Sequence, residues 1–195
     1  MTDSLHNKDI SGMQIAGISG AEFETVGIAD SLETETASLS LTTFNAATVE
    51  RFSEILKAKR LDTLMEIRNT FDINPGADDE THLQCVETAA ADPEMDAVVI
   101  GMDPCSPVVR SLEKSAREGF NLRSDESSAS TLPAFVNKLT KPVIAVVEGG
   151  TMYDAFSEKL MEQGVCVFRA TERAVKTLAK YSDARINADH IRSQS

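Results

Sequence analysis

Tryptophan is absent from this sequence and other aromatics are few, 5% of its 195 positions. A core must therefore be built from Val, Ile, Leu, Ala and Met. Histidine is scarce too: His6, His82 and His190 show no metal-ligand spacing. The three cysteines, Cys85, Cys105 and Cys166, form no Cys-Xaa-Xaa-Cys pair. So sparse and odd a set excludes a disulfide scaffold and suits a reducing cytoplasm. No apolar run reaches the roughly 18 residues that a membrane-spanning helix needs, and Met1–Ser11 is polar and acidic, unlike a secretory leader. Positive charge is also short. Lys and Arg number 19 against 31 Asp and Glu, a net charge of −12. That disfavours nucleic acid and anionic membrane as partners, because both repel a polyanion. An anionic ligand stays admissible, since a helix N-terminus holds phosphate against an unfavourable global field.

What is present is enough for one compact domain. Met13–Ile18 reads as a buried strand, Ser19-Gly20 as a turn, and Ala21–Leu32 as a helix with Phe23, Val26 and Ile28 on its apolar face. Ser38–Leu41 is a weak strand. Asn45 is positioned to cap a helix carrying Val49, Phe52, Ile55 and Leu56 at three- and four-residue steps. Leu64–Ile67 reads as a short extended piece, and 69–80, with Asn74-Pro75-Gly76, as a loop. A helix follows to Ala91. Ala97–Gly101 is a strand apolar on both faces, as in parallel sheets. Val108–Arg117 reads as helical and Glu118–Ser130 as a mobile surface loop. Leu132–Leu139 is a helix, Pro142–Val147 a strand, Tyr153–Gln163 a helix ended by Gly164, and Val165–Phe168 a strand. Thr171 is placed to cap a last helix to Tyr181. The order of strands and helices predicts a doubly wound parallel α/β sheet over 13–181. A disordered arm (1–12) precedes it and a polar, frayed tail (182–195) follows it.

In this architecture ligands sit beyond the carboxyl ends of the strands. Four loops there could carry chemistry. Ser19-Gly20-Ala21 lets backbone approach a ligand at the start of a helix, though it is not a dinucleotide fingerprint. Asn74, Gly76, Ala77 and Asp78 form a second mouth that could cradle a phosphate, or in which Asp78, Asp79 and Glu80, already complementing the helix dipole, replace the anion instead. Asp103-Pro104-Cys105-Ser106-Pro107 offers a thiol, but no histidine in these loops pairs with it, so a proline-rigid turn is the better reading. Gly149-Gly150 reads first as a glycine-rich turn, with Thr151 or Asp154 capping the next helix. His82, one turn into its helix with nothing in sequence to orient it, reads as a surface or half-buried residue.

Taken in order, the segments Ile18–Leu32, Asn69–Glu80, Asp92–Gly101, Lys141–Val147, Tyr153-Asp154 and Gly164–Ala174 resemble the third α/β domain of ADP-forming acyl-CoA synthetases. That domain is similar to the C-terminal domain of the succinyl-CoA synthetase β subunit. The resemblance implies a flavodoxin-like fold and a chain that is a domain or subunit of such an enzyme, contributing a helix N-terminus to a phosphohistidine site. Asn74, Gly76 and Ala77, with Ser19, Gly20 and Ala21 beside them, would then offer donors to the phosphoryl group. CoA and ADP/ATP are implied for the parent enzyme and no cofactor on this chain. The implied partners are a CoA-binding, phosphohistidine-bearing domain and an ATP-grasp domain, neither of which this sequence contains. It also departs from the family pattern at Ser19–Glu22, which has no Asn and sets a carboxylate where Gly is common. An isolated chain is therefore not expected to turn over. The alternative is a non-catalytic interaction or regulatory module on the same fold.

Overall fold

The computed structural model describes residues 3–63 and 66–194. Part of the Leu64–Ile67 expectation thus lies outside the described residues. Five strands, β1 (Ile15–Ser19), β2 (Phe71–Asp72), β3 (Ala97–Gly101), β4 (Val143–Val146) and β5 (Cys166–Phe168), form one parallel sheet in the order β2-β1-β3-β4-β5. This is the flavodoxin order, with its switch point between β1 and β3. Helices cover both faces. On one lie α2 (Glu22–Asp30) and α7 (Thr171–Ser193), packed over Ile15, Val99, Ile144 and Val146. On the other lie α3 (Ala46–Lys59), α4 (Asp79–Ala91), α5 (Ser128–Val136) and α6 (Asp154–Glu162), over Ala16, Ile18, Val98, Ile100 and Ala145. Burial on both sides is why the central strands have no polar alternation.

The few aromatics are concentrated. Phe52 stands edge-on to Phe44 (centroids 5.0 Å apart) and tilted on Phe71 (4.6 Å), all three buried between α3 and β2. Asn45 caps α3 as expected, accepting from the Thr48 N–H at 2.9 Å. Gly164, at φ 91°, follows α6 in the left-handed conformation that glycine supplies.

The structure departs from the sequence reading in several places. Ser38–Leu41 is no strand; only isolated bridges form there, Ser40 to Gln14 and Ser38 to Glu33. The edge strand is instead β2, inside the stretch read as a loop. Val108–Arg117 is not helical. Its chain is held by side chains: the Ser111 hydroxyl donates to the Pro104 carbonyl (2.6 Å) and Arg117 to the Pro107 carbonyl (2.8 Å). The following stretch is likewise tied down, with Leu122 buried and the Arg117 guanidinium stacked 3.4 Å over Phe120. The fifth helix begins earlier than Leu132, capped by Ser127. The tail read as frayed continues α7 to Ser193, and the described part of the N-terminal arm, from residue 3, is packed on the domain. It contains a short helix, α1 (Asp3–His6), buries Leu5, and sends Lys8 Nζ to the carbonyls of Val136 (2.7 Å) and Leu139 (2.6 Å).

Candidate functional site

Two helix mouths open at the carboxyl edge of the sheet, and they are built differently. At the first, β1 ends in Ser19, the chain turns through Gly20 and Ala21, and α2 begins. Ala21 is the N-cap and has no side chain with which to cap. The turn is held by Ser19, whose hydroxyl accepts from the Ala21 N–H (3.0 Å) and donates a short bond to Glu24 Oε2.

Glu24 overturns the expected face of α2. Phe23 and Val26 point outward, 61% and 50% exposed, while Glu24, Thr25 and Ile28 face the core. Room for that carboxyl comes from Gly101 at the end of β3. A Cβ there would collide with Glu24 and lie 2.6 Å from the Ser19 hydroxyl. Burial raises the Glu24 pKa to about 8; the nearby Asp103 and Glu148 charges push the same way, against the Ser19 hydrogen bond and a weaker one from the Asp103 backbone. Its second oxygen, Oε1, is buried without a partner.

His82 reaches the same turn from α4. It is fully buried rather than at the surface, and it is oriented: Nδ1 lies 3.0 Å from the Asp78 carbonyl. That carbonyl can only accept, so the ring proton sits on Nδ1 and Nε2 presents a bare lone pair. Desolvation lowers the His82 pKa and keeps the ring neutral. Nε2 has no partner. It converges with Asp103 on Gly20: a Cβ built there would sit 3.2 Å from His82 Nε2 and 3.2 Å from Asp103 Oδ2. Asp103 itself stands in the left-handed region at φ 38°, and burial raises its pKa.

The second mouth is closed by the chain's own groups. Asn74 Oδ1 accepts from the Gly76 N–H (2.8 Å) and its carbonyl from the Ala77 N–H (2.9 Å). Asp78 caps α4, accepting from the Thr81 N–H (2.9 Å) and hydroxyl (2.6 Å), and pairs with Lys59 (2.9 Å). Those bonds outweigh desolvation and hold the Asp78 carboxyl below its usual range. Asp79, 1% exposed, accepts from the Ser128 N–H (2.7 Å) and hydroxyl (2.5 Å) and from the Arg110 N–H (3.0 Å) and guanidinium (3.1 Å). Asp78 thus satisfies one N–H of the mouth itself, whereas Asp79 turns away to Ser128 and Arg110.

The remaining predicted residues lie around these mouths. Ser106 donates to the Pro75 carbonyl at 2.8 Å, tying the β3 loop to the α4 loop. Gly149 leaves room for the Tyr153 ring, which a Cβ would approach to 2.6 Å, and the Gly150 (φ 77°) carbonyl accepts from the Arg169 guanidinium. Neither Thr151 nor Asp154 caps; Asp154 pairs with Arg169 at 2.9 Å. The cap of α7 likewise comes from another loop, since Glu148 accepts from the Thr171 N–H (3.2 Å) and hydroxyl (2.7 Å). Among the described residues no group of three or more His, Cys, Asp or Glu is placed to hold a metal. No described helix is long and apolar enough to cross a membrane.

No protein-family profile matches this sequence, and no curated protein matches it. Solved structures do. The chain superposes with a TM-score of 0.70 on dinucleotide forming acetyl-coenzyme A synthetase 1 of Ca. Korarchaeum cryptofilum, at 16% identity over 98% of this chain and 38% of that one. The same protein in complex with phosphate and ADP matches equally. PH0766 from Pyrococcus horikoshii OT3 matches with a TM-score of 0.67 at 19% identity, over 88% of this chain and 36% of that one. The fold is therefore that of one part of such synthetases, and the chain spans little more than a third of their length.

Proposed function

We propose that this chain works as a domain or subunit of an ADP-forming acyl-CoA synthetase, beside a CoA-binding, phosphohistidine-bearing domain and an ATP-grasp domain. The observation that carries this reading is coverage: a likeness over 98% of this chain takes in only 38% of the Korarchaeum synthetase. Phe23 and Val26, three residues apart on α2 and 61% and 50% exposed, support a docking role as a neighbouring apolar pair on one helix face. The site geometry favours docking over phosphoryl relay. Asp78 caps the α4 mouth beside Lys59, and the Gly76, Ala77 and Thr81 N–H groups already have acceptors. The proposed role is thus closer to an interaction module than to a phosphate cradle.

Two measurements test this. The chain is mixed with CoA-binding and ATP-grasp chains encoded by neighbouring reading frames, and ATP formation from acyl-CoA, ADP and phosphate is followed. Turnover only in the complete mixture is expected; turnover without this chain defeats the proposal. Titration with inorganic phosphate then decides the finer role. Amides of residues 76–80 should not respond, and a saturable response there would restore the relay.

A further inference from the structure

Helix α2 has nine residues, and none of them is basic. Its outward stripe is Glu22, Phe23, Val26, Ala29 and Asp30, all exposed. A face that meets only water is ordinarily polar, and exposed apolar side chains are ordinarily single. Here two stand one turn apart, with acids at both ends. Beside them lies a groove of about 380 Å3, between α2 and the chain entering β2. Val26, Ala29 and Leu41 give it an apolar lining, and Thr25 and Thr70 lie alongside.

The unbalanced charge around that surface is of one sign. The groove's charged residues are Glu22, Glu66, Asp72 and one base, Arg68, which lies 3.7 Å from Glu66 and balances it. Glu22, Asp30 and Asp72 make no ion pair among the described residues. Burial raises the Asp72 pKa against a hydrogen bond from the Asn74 N–H (2.8 Å), and the Glu22 charge adds to the rise, so the two acids repel each other. These facts separate the occupants. A second copy meeting this face across a two-fold axis would set the same acids against themselves. Nucleic acid and an anionic bilayer are repelled. A segment that brings Lys or Arg beside an apolar side chain covers Phe23 and Val26 and relieves the repulsion at once.

We propose that the outer face of α2 and the groove beside it dock a partner segment carrying an apolar side chain flanked by Lys or Arg. The apolar group lies against Phe23 and Val26 and the cations against Glu22 and Asp72. This rests on the docking role given above and adds the chemistry that the partner must carry.

The test uses the full chain with 15N-labelled amides. The probe is a short helical peptide with leucines along one face and lysines flanking them. Two controls each carry half of its chemistry: oligolysine, and the same peptide with glutamates for lysines. Saturable shifts centred on the α2 amides are expected with the probe and with neither control, weakening as salt is added. Phe23→Ser combined with Val26→Ser should weaken binding about tenfold or more. Glu22→Lys should weaken it and flatten its salt dependence, whereas Glu54→Lys, the same charge change on α3, should do neither. Thermal unfolding checks that each variant is folded. No saturable shift, an equal response to oligolysine, shifts centred away from α2, or unchanged affinity in the α2 variants overturns the proposal. So does a dimer of the chain alone that Phe23→Ser dissociates in sedimentation, since the occupant would then be a second copy. The synthetase reading is decided separately, by turnover of the reconstituted mixture. Peptide binding without turnover defeats that reading alone, and turnover without binding at α2 defeats this one alone.

Discussion

The two helix mouths at the sheet's carboxyl edge use the same residue type to opposite ends. At α4, Asp78 and Asp79 are met by backbone N–H groups, hydroxyls, a lysine and an arginine. At α2, Glu24 has one hydroxyl partner and one bare oxygen, and the facing His82 has a bare nitrogen. A carboxylate whose oxygens are all taken is a structural part; it cements loops and excludes ligands. A buried acid left half-satisfied lowers stability and marks a candidate functional position. Proximity to a helix N-terminus, common to both, decides nothing.

The largest effect should come from breaking the satisfied mouth. Asp79→Ala strips the acceptor from Ser128, from the Arg110 N–H and from a guanidinium that is only 19% exposed. Orphaning that set should cost about 4 kcal/mol, read as a fall in unfolding free energy. Amide exchange should rise across 110–128. A loss below about 1 kcal/mol would mean that Asp79 is not the cement.

Next comes Glu24. Its folded pKa, about 8, lies above the ordinary 4.5. Between those values the folded state holds a proton that the unfolded state has released, so stability falls as pH rises through that window. Asp72 and Asp103 are raised too and act in the same sense from lower pH; His82, lowered, acts oppositely below its ordinary value. Glu24→Gln cancels only the Glu24 part. The variant should gain on the wild type by on the order of 3 kcal/mol between pH 5 and pH 9. Parallel stability curves for the two proteins would show that the carboxyl is not desolvated.

The sheet was legible because burial on both faces writes itself as unbroken apolar runs, as at Ala97–Gly101 and Val143–Val146. The two-residue β2 was not, since no periodicity fits in Phe71–Asp72. Nor was the end of α7. Its last turns bury little, and are supported by pairs such as Asp189–Arg192 and by Arg185 over Tyr181, which a polar composition hides. The flavodoxin order followed from the family resemblance. The site was half legible. Its location at the strand ends follows from topology, and Gly20 and Asp103 were in view. Glu24 and His82 were not, because Phe23 and Val26 mimic an inward face on α2, and the group that orients His82 is a backbone carbonyl.

The smallest effect tests the closed mouth as a ligand site. Asp78→Ala removes the α4 cap and the Lys59 partner, and should cost about 1 kcal/mol. It should also change the mouth's chemistry. With the cap gone, the Thr81 N–H loses its acceptor, and Lys59, which also reaches Glu80 at 2.8 Å, is left with less negative charge beside it. Inorganic phosphate should then perturb the amides of 78–81 in the variant and not in the wild type, with the response fading as salt screens it. Phosphate silence in both proteins would mean that the mouth is shut by shape. A response in both would mean that Asp78 never closed it, and the contrast between the two mouths would be lost.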